Sequence, residues 1–263
     1  MLKTDQKQFH IPVMVGEIGK YCILPGDPDR CKQIASYLDD PIFIGQKREF
    51  QIWNGTLCGE TVTVCSTGIG GPSTAIAVEE LANCGANTMI RVGTCGGIDL
   101  NVKSGDLVIA SGAVRQDGTS HEYAPPQFPA VPSHEVLFAL TQAAKVQPAD
   151  THVGVVQSKD SFYGQHAPKT KPTAEALLEK WEAWKSLGVL ASEMEASTLF
   201  TVGAYRRLRT GAIFLSVWNQ ERYLKGLDTD EAEAHDTALA IQAAVDAIKI
   251  LISEDRKKQG VKR

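Results

Sequence analysis

The sequence predicts a single layered α/β domain with a largely parallel sheet. Short runs of apolar and β-branched residues alternate with helical patterns along the whole chain. Glycine-rich turns follow several of these runs, as at Gly26 and at 68–71. No Ser/Gly linker, repeat or low-complexity tract divides the 263 residues. We therefore expect residues 1–263 to fold as one domain.

Strand and helix candidates follow one another in order. Strands rich in apolar and β-branched residues are expected at 21–24, 43–53, 61–67, 88–92, 106–114, 151–157 and 212–217. Helical patterns occupy 28–38, 73–84, 133–145, 173–187, 192–208 and 228–253. Pro28 suits a first helical turn, and Asp27 and Ser133 are N-cap candidates. The basic stretch after about residue 254 is expected to fray.

The composition argues against several classes of function. The chain is 43% hydrophobic and 22% charged, which is typical of soluble globular proteins, and its net charge is −4. That charge argues against nucleic-acid binding. Neither a membrane-spanning apolar run nor a signal-peptide core is present, so no membrane partner is expected. None of the six cysteines forms a C-x-x-C pair, which favours reduced thiols in the cytoplasm.

Residues 89–98 contain the most unusual pattern. An apolar strand carries one arginine, Arg91, and is expected to stop at the glycine cluster 93–97. A buried charge needs a partner, and glycines allow backbone N–H groups to turn towards one point. Arginine, the Thr94 hydroxyl and free N–H groups would form an anion pocket at the carboxyl edge of the sheet. The alternative is a tight turn whose arginine reaches a surface carboxylate.

Gly26 and Arg30 border another strand–helix turn. An arginine in a first helical turn opposes the helix dipole, which indicates an anionic partner, either a ligand or a carboxylate such as Asp27. The dinucleotide, P-loop, zinc-protease and α/β-hydrolase motifs are absent. Cys95 has no histidine near it in the sequence, so a small buried side chain explains it better than a nucleophile.

Glu193 and Glu195 lie at the start of the predicted helix 192–208. Ser192 is a candidate N-cap, and Glu195 then occupies the capping-box position. The functional interpretation of Glu195 is a carboxylate directed into a pocket, where it accepts from two neighbouring hydroxyls. The sequence leaves both interpretations open.

Five motifs in order resemble those of the nucleoside phosphorylase superfamily, most closely its uridine branch. They are Pro-Gly-Asp-Pro-Asp-Arg at 25–30, Arg-Glu-Phe at 48–50, Ser-Thr-Gly-Ile-Gly-Gly-Pro-Ser at 66–73, Arg-Val-Gly-Thr at 91–94 and Glu-Met-Glu at 193–195. The resemblance extends from about Phe9 to the last helix. It implies a three-layer sandwich around a twisted mixed sheet, assembled as a homohexamer of three dimers with shared active sites.

The resemblance also implies roles for single residues. Phosphate would be bound by Gly26, Arg30, Arg91 and Thr94, and by Arg48 of the neighbouring subunit. Ribose would be bound by Thr94, Met194 and Glu195, and by His10 of the neighbour. Phe162 and Gln165 would hold the base, and Glu49, Ile69 and Ser73 match a monovalent cation site, for K⁺, at the dimer interface. Neither a metal nor an organic cofactor is implied for the chemistry.

The implied reaction is attack of inorganic phosphate on C1′ of a nucleoside as the base departs. The arginines would concentrate phosphate, and Glu195 would fix the sugar hydroxyls. The expected substrate is uridine, with 2′-deoxyuridine, in cytoplasmic pyrimidine salvage. Alternatives are a purine nucleoside phosphorylase, a nucleosidase, or a nucleoside-binding protein without activity. The lack of an acid in 217–219 weighs against purines.

Two positions depart from the uridine branch, because Ala167 and Gln220 replace arginines. A departing uracil carries negative charge, so another cation is needed near the base. Lys159, three residues before Phe162, is the candidate, and with Arg91, Glu195 and Gln165 it is expected to carry catalysis. The alternative is that Lys159 pairs with Asp160 or points into solvent; His166 and Arg222 would then be the next candidates.

Overall fold

Within residues 6–229 and 233–260, which the computed structural model describes, nine strands form one sheet. They are β1 Tyr21–Pro25, β2 Asp39–Lys47, β3 Phe50–Leu57, β4 Glu60–Cys65, β5 Thr88–Gly97, β6 Leu107–Gln116, β7 Thr151–Lys159, β8 Ala191–Glu193 and β9 Arg209–Asn219. β1 pairs in parallel with β4 and β5, whereas β2, β3 and β4 pair antiparallel. The mixed sheet that the resemblance implied is therefore confirmed.

The sheet closes on itself at one end. β5 runs parallel to β9 and also pairs with the short β8 through Gly96 and Gly97. β9 pairs with β6, β6 with β7, and β7 with β8, so these five strands form a ring. The closure brings the carboxyl ends of β5 and β7 next to β8.

Helices cover both faces of the sheet. They are α1 Pro28–Ala35, α2 Gly71–Asn83, α3 Thr119–Tyr123, α4 His134–Ala144, α5 Phe162–His166, α6 Ala174–Ser186, α7 Ala196–Arg206, α8 Gln220–Leu224 and α9 Ala238–Gly260, with a 3-10 turn at Pro168–Thr170. Alternate residues of β1 enter opposite cores: Cys22 and Leu24 pack with α2 and α7, and Tyr21 and Ile23 pack with α1, α4 and α9. The predicted three-layer architecture is thus confirmed. None of the helices described is long and apolar enough to cross a membrane.

Two strand predictions were wrong. The stretch 43–53 is not one strand, because Arg48 and Glu49 form the turn of the β2–β3 hairpin and Arg48 has a φ of 55°. β5 does not stop before the glycine cluster but continues through it to Gly97. Pairing with β8 and β9 on its two sides supplies the hydrogen bonds that keep these glycines extended.

Two helix predictions were also wrong. The helix expected at 192–208 begins at Ala196, since residues 191–193 pair with β5 and β7 as β8. The last helix begins at Ala238 rather than 228 and continues to Gly260, so the stretch expected to fray after about residue 254 is helical that far. Asp255 holds this end to the sheet, because its carboxylate accepts from Tyr21 Oη at 2.7 Å and from Arg209 Nη1 at 2.9 Å.

Candidate active site

A cavity of about 1050 Å³ lies where the ends of β1, β5, β7 and β9 meet β8. It collects most of the residues that the sequence singled out. Its lining includes Gly26, Arg30, Glu49, Ile69, Ser73, Arg91, Thr94, Lys159, Phe162, Gln165, Met194 and Glu195. Strand closure therefore brings together groups that are up to 169 positions apart in the sequence.

The turn after β1 forms one wall. Backbone N–H groups of Thr67 and Gly68 donate to the carbonyls of Pro25 and Gly26, at 2.8 and 3.0 Å, which holds two glycine-bearing turns side by side. A Cβ on Gly26 would lie 3.2 Å from the Gly68 carbonyl oxygen and 3.8 Å from the Arg91 guanidinium. The first of these contacts would be tight, so glycine at position 26 lets the two turns lie close together.

Arg91 is the central charge of the cavity and is only 5% exposed. Its Nη2 donates to Glu195 Oε2, and its Nε lies 3.6 Å from Glu193 Oε2. Its Nε and Nη1 have no hydrogen-bond partner among the described residues. Arg30 lines the same wall, where burial and then the positive charge of Arg91 lower its pKa. A second guanidinium beside Arg91, together with the unused donors of Arg91, forms a site for an anion.

Glu193 and Glu195 have separate tasks. Glu193 caps α7, because its carboxylate accepts from the backbone N–H of Glu195 at 2.8 Å and of Ala196 at 3.0 Å. Burial, and then the charge of Glu195, raise the pKa of Glu193. Glu195 faces the cavity, where Oε1 accepts from Gly70 N at 2.6 Å and Oε2 accepts from Arg91. The capping-box interpretation of Glu195 is therefore wrong, and the pocket-facing one fits the structure.

Lys159 lies at the end of β7 and is only 5% exposed. Its Nζ donates to Ser192 Oγ at 2.7 Å, and Ser192 Oγ donates to Gln165 Oε1, also at 2.7 Å. Burial lowers the pKa of Lys159 to about 8, although Glu193 and Glu195 favour its charged form. Asp160 instead accepts from Gly118 N at 2.8 Å, and Lys159 is buried against Ser192, so both parts of the alternative, pairing with Asp160 and a solvent-facing side chain, are wrong.

Aromatic rings border the same end of the cavity. The rings of Phe162 and His166, on the short helix α5, lie 4.2 Å apart, and Trp218 of β9 also lines the space. Burial, and then the charge of Lys159, lower the pKa of His166. Sequence reasoning missed Ser192 and Trp218 as lining residues. A serine two positions before Met194 could have been noticed, but nothing local distinguished a helix cap from a three-residue strand.

Two predicted site residues lie outside this cavity. His10 Nδ1 is 2.7 Å from Glu80 Oε1, and the Glu80 carboxylate also accepts from the backbone N–H of His10 and Ile11. Arg48 is exposed in the β2–β3 turn. Both residues were expected to act in the active site of a neighbouring subunit. Their position outside the cavity of their own subunit therefore neither supports nor contradicts that expectation, which stays a prediction.

Other candidates are accounted for by different contacts. Ser73 Oγ donates to Glu49 Oε1 at 2.8 Å beside the exposed Ile69. Burial raises the pKa of the Cys95 thiol well above its usual value, which argues against a nucleophile. Arg222 is paired with Asp228 at 2.7 Å, and it is not a lining residue. No three His, Cys, Asp or Glu side chains in the described part of the chain are placed to share a metal ion.

The fold and the arginine-bordered cavity are those of a phosphorylase. The chain matches the phosphorylase superfamily over residues 20–253, and it belongs to that superfamily. It is 50% identical over 248 residues to the uridine phosphorylase of Treponema pallidum (strain Nichols), which covers 94% of this chain and 95% of that protein.

Two other relatives show the breadth of this similarity. The uridine phosphorylase of Escherichia coli (strain K12) is 40% identical over 251 residues, covering 93% of this chain and 98% of that protein. The guanosine phosphorylase of Halorubrum lacusprofundi is 40% identical over 230 residues, covering 86% and 89%. Similar proteins thus have names that refer to different nucleosides.

The anion site can be tested without reference to any reaction. Arg30→Gln removes one charge while leaving Arg91 paired with Glu195. Because a charge-assisted hydrogen bond contributes about 1.5–3 kcal/mol, binding of inorganic phosphate should weaken roughly 10–100-fold in titration calorimetry. Arg256→Gln, on the exposed side of α9, is the control and should bind phosphate normally. Unchanged binding by Arg30→Gln would contradict the site.

Proposed function

We propose that this protein is a uridine phosphorylase, which converts uridine, and 2′-deoxyuridine, reversibly into uracil and the corresponding pentose 1-phosphate. One observation carries the proposal. A single cavity joins two arginines beside Gly26 to a polar chain of Lys159, Ser192 and Gln165 among aromatic rings. The uridine phosphorylases among its relatives, one of them 50% identical, support the same choice. We place this activity in cytoplasmic pyrimidine salvage.

The roles of the residues follow from charge. Phosphate held by Gly26, Arg30, Arg91 and Thr94 attacks C1′ as the bond to the base breaks. The sugar becomes cationic in the transition state, between an anionic nucleophile and a base that gains negative charge. Glu195 retains lone pairs for the sugar hydroxyls, next to Met194. Its contacts to Gly70 and Arg91 fix it before substrate arrives, so little reorganisation is needed.

The base end has to accept negative charge. Gln165 offers neutral hydrogen-bonding groups beside the Phe162 ring, and Lys159 supplies a positive charge nearby. A buried ammonium acts in a medium where its field is poorly screened by water. The uridine branch has arginines at the positions of Ala167 and Gln220. We therefore propose that Lys159 supplies, in their place, the positive charge that stabilises the departing base.

A purine substrate is the second candidate, because one relative is named a guanosine phosphorylase. Protonation of a purine ring would call for an acid near the base, and positions 217–219 supply none. Asn219 is already committed, since its Nδ2 donates to the carbonyls of Asp99 and Val102, each at 2.8 Å. A hydrolase is disfavoured by the paired arginines, which would serve no purpose for water as the nucleophile.

The active unit that we propose is a homohexamer built from three dimers. Arg48 on the exposed turn would complete the phosphate site of the neighbouring subunit, and His10 would reach its ribose. The pair Glu49 and Ser73, with Ile69, would hold K⁺ where the two subunits meet. Phosphate and nucleoside are then the only small molecules that the reaction itself consumes.

The first test of this function is the phosphate requirement. Base release from uridine should depend on inorganic phosphate and produce ribose 1-phosphate, because the arginines bind the nucleophile. The assay follows free uracil in buffer without added metal or organic cofactor, once with K⁺ and once with Na⁺. A panel with deoxyuridine, cytidine, inosine and guanosine tests the base. Equal release of uracil without phosphate would identify a nucleosidase instead.

Sharing of sites between subunits is tested by mixing inactive variants. Arg48→Ala and Glu195→Ala subunits, exchanged under mild denaturant, should regain activity because some mixed sites contain both intact residues. The control mixes Arg30→Gln with Glu195→Ala. Both residues line the same cavity, so every mixed site stays defective and activity should not rise above that of the two variants measured separately. Absence of recovery in the first mixture, with exchange shown by mass spectrometry, would contradict sharing.

The charge of Lys159 should affect how kcat depends on pH. Its pKa lies near 8, below the usual value, so the ammonium is present at lower pH and is lost as the pH rises through about 8. The kcat for uridine should fall along the same limb. Lys159→Met should lower kcat roughly 10²–10³-fold and abolish that limb, with little change in KM for phosphate.

Lys180→Met, an exposed change on α6, is the control for this lysine and should keep both the rate and the profile. A Lys159→Met enzyme with the kcat of the unmodified protein would exclude an electrostatic role of Lys159.

A further inference from the structure

Three polar side chains at the base end form a chain that leads from the protein interior to the cavity. Lys159 and Ser192 are 5% and 2% exposed, and Gln165 is the member nearest to the opening. Both links are short, at 2.7 Å each. Ser192 itself sits in the three-residue β8, where Ser192 is opposite Gly96 on one side and Gln157 on the other. Its position is therefore fixed by backbone pairing on both edges.

The direction of the hydrogen bonds in this chain is determined by its inner end. An ammonium group has donors and no acceptor, so the Ser192 oxygen must accept from Lys159. The hydroxyl proton of Ser192 is then free to point at Gln165, and it needs an acceptor there. The amide oxygen Oε1 is such an acceptor, whereas the amide nitrogen is not. The Nε2 hydrogens of Gln165 are consequently directed away from Ser192 and are available to the cavity.

Reversal of the amide would be unfavourable. The Ser192 oxygen would then face two donors, Lys159 Nζ and Gln165 Nε2, and its own proton would lose the acceptor that it has now. A buried polar hydrogen without a partner is unfavourable, because it has given up its hydrogen bonds to water and gains none in exchange. A free glutamine turns over between its two orientations as the ligand requires, but this glutamine is held in one of them.

We propose that Ser192, backed by Lys159, is a positioning residue that fixes the Gln165 amide and so determines which bases the site accepts. The proposal rests on the function proposed above. The proposed function explains why the site accepts uracil. The present proposal explains in addition why it excludes cytosine, a pyrimidine of the same shape. Neither residue needs to contact the base for this effect.

The selection follows from the hydrogen-bonding pattern of the two bases. Uracil carries a ring N–H flanked by carbonyl groups, so N3 donates to the second lone pair of Oε1 while Nε2 donates to the adjacent carbonyl. Cytosine has no proton on N3 and has an amino group in place of one carbonyl. Its N3 would face the amide oxygen, acceptor against acceptor, and the amino group would face the Nε2 hydrogens. Only a reversed amide would suit cytosine.

In this mechanism Lys159 has two separate effects, one on the rate at which the base departs and one on the choice between bases. The charge of Lys159 acts on the departing base and changes kcat for every substrate, because each base gains negative charge as it leaves. The hydrogen bond of Lys159 to Ser192 acts on the choice between bases. A ratio of specificity constants cancels the first effect and retains the second.

The experiment measures kcat/KM for uridine and for cytidine with phosphate in excess. Ser192→Ala removes the hydroxyl, so the amide can turn over and the preference for uridine should fall at least about tenfold, the effect of one lost hydrogen bond. Ser192→Thr keeps the hydroxyl and should retain most of the preference. Lys159→Met should relax the preference as Ser192→Ala does, in addition to its lower kcat.

Each alternative outcome has a definite meaning. An unchanged preference in Ser192→Ala overturns the proposal, as does an equal loss in Ser192→Thr, which would point to packing rather than to the hydroxyl. An unmodified enzyme that leaves uridine intact overturns the proposed function instead. The orientation of Gln165 is then measured by calorimetric binding of free uracil and free cytosine to the unmodified protein and to Ser192→Ala. Equal preference in the two proteins overturns the orientation proposal.

Discussion

The buried guanidinium of Arg91 is the constraint on which the rest of the site depends. A charge placed among strands is costly unless it is paired, and here it lies beside the carboxylates of Glu193, the last residue of β8, and of Glu195, two residues further on. Arg91 lies on the face of β5 that packs against α2 and α7, beside the Phe214 ring. The segment leading into α7 must therefore return to β5, and Gly70, before α2, is held there by Glu195. One ion pair thus gathers β5, β8, α2 and α7 around the cavity.

The second carboxylate makes this arrangement compatible with function. If Glu195 capped α7 it would be unavailable to the cavity, and the first turn of the helix would compete with the ligand for it. Glu193 satisfies the backbone N–H groups of Glu195 and Ala196 and also lies near Arg91. Glu195 is left with Arg91 and Gly70 as partners and with lone pairs that face open space. Glu193 thus caps the helix, and Glu195, two positions later, remains available for a ligand.

Sequence reasoning identified those parts of the site that are encoded locally. A charged residue inside an apolar run marked Arg91, and turns with glycine marked Gly26 and 68–71, because each pattern is complete within a few residues. β8 could not be predicted in the same way. It has three residues, and its pairing partners lie 35 and about 95 positions earlier in the chain. A non-local pairing of that kind leaves no periodicity, so residues 191–193 were assigned to the helix that follows them and Ser192 to its cap.

The two ends of the cavity differ in how they present positive charge, because one is proposed to bind an anion and the other a neutral base. At the proposed phosphate end, burial and the positive charge of Arg91 lower the pKa of Arg30 while Asp27 opposes them, so an incoming anion would stabilise the charged guanidinium. At the base end the charge of Lys159 is held back behind Ser192, and burial brings its pKa down to about 8. In the function that we propose, the neutral amide of Gln165 in front of the partly desolvated Lys159 would keep this end selective for a neutral base, and the positive field of the lysine would act as negative charge develops on the departing base.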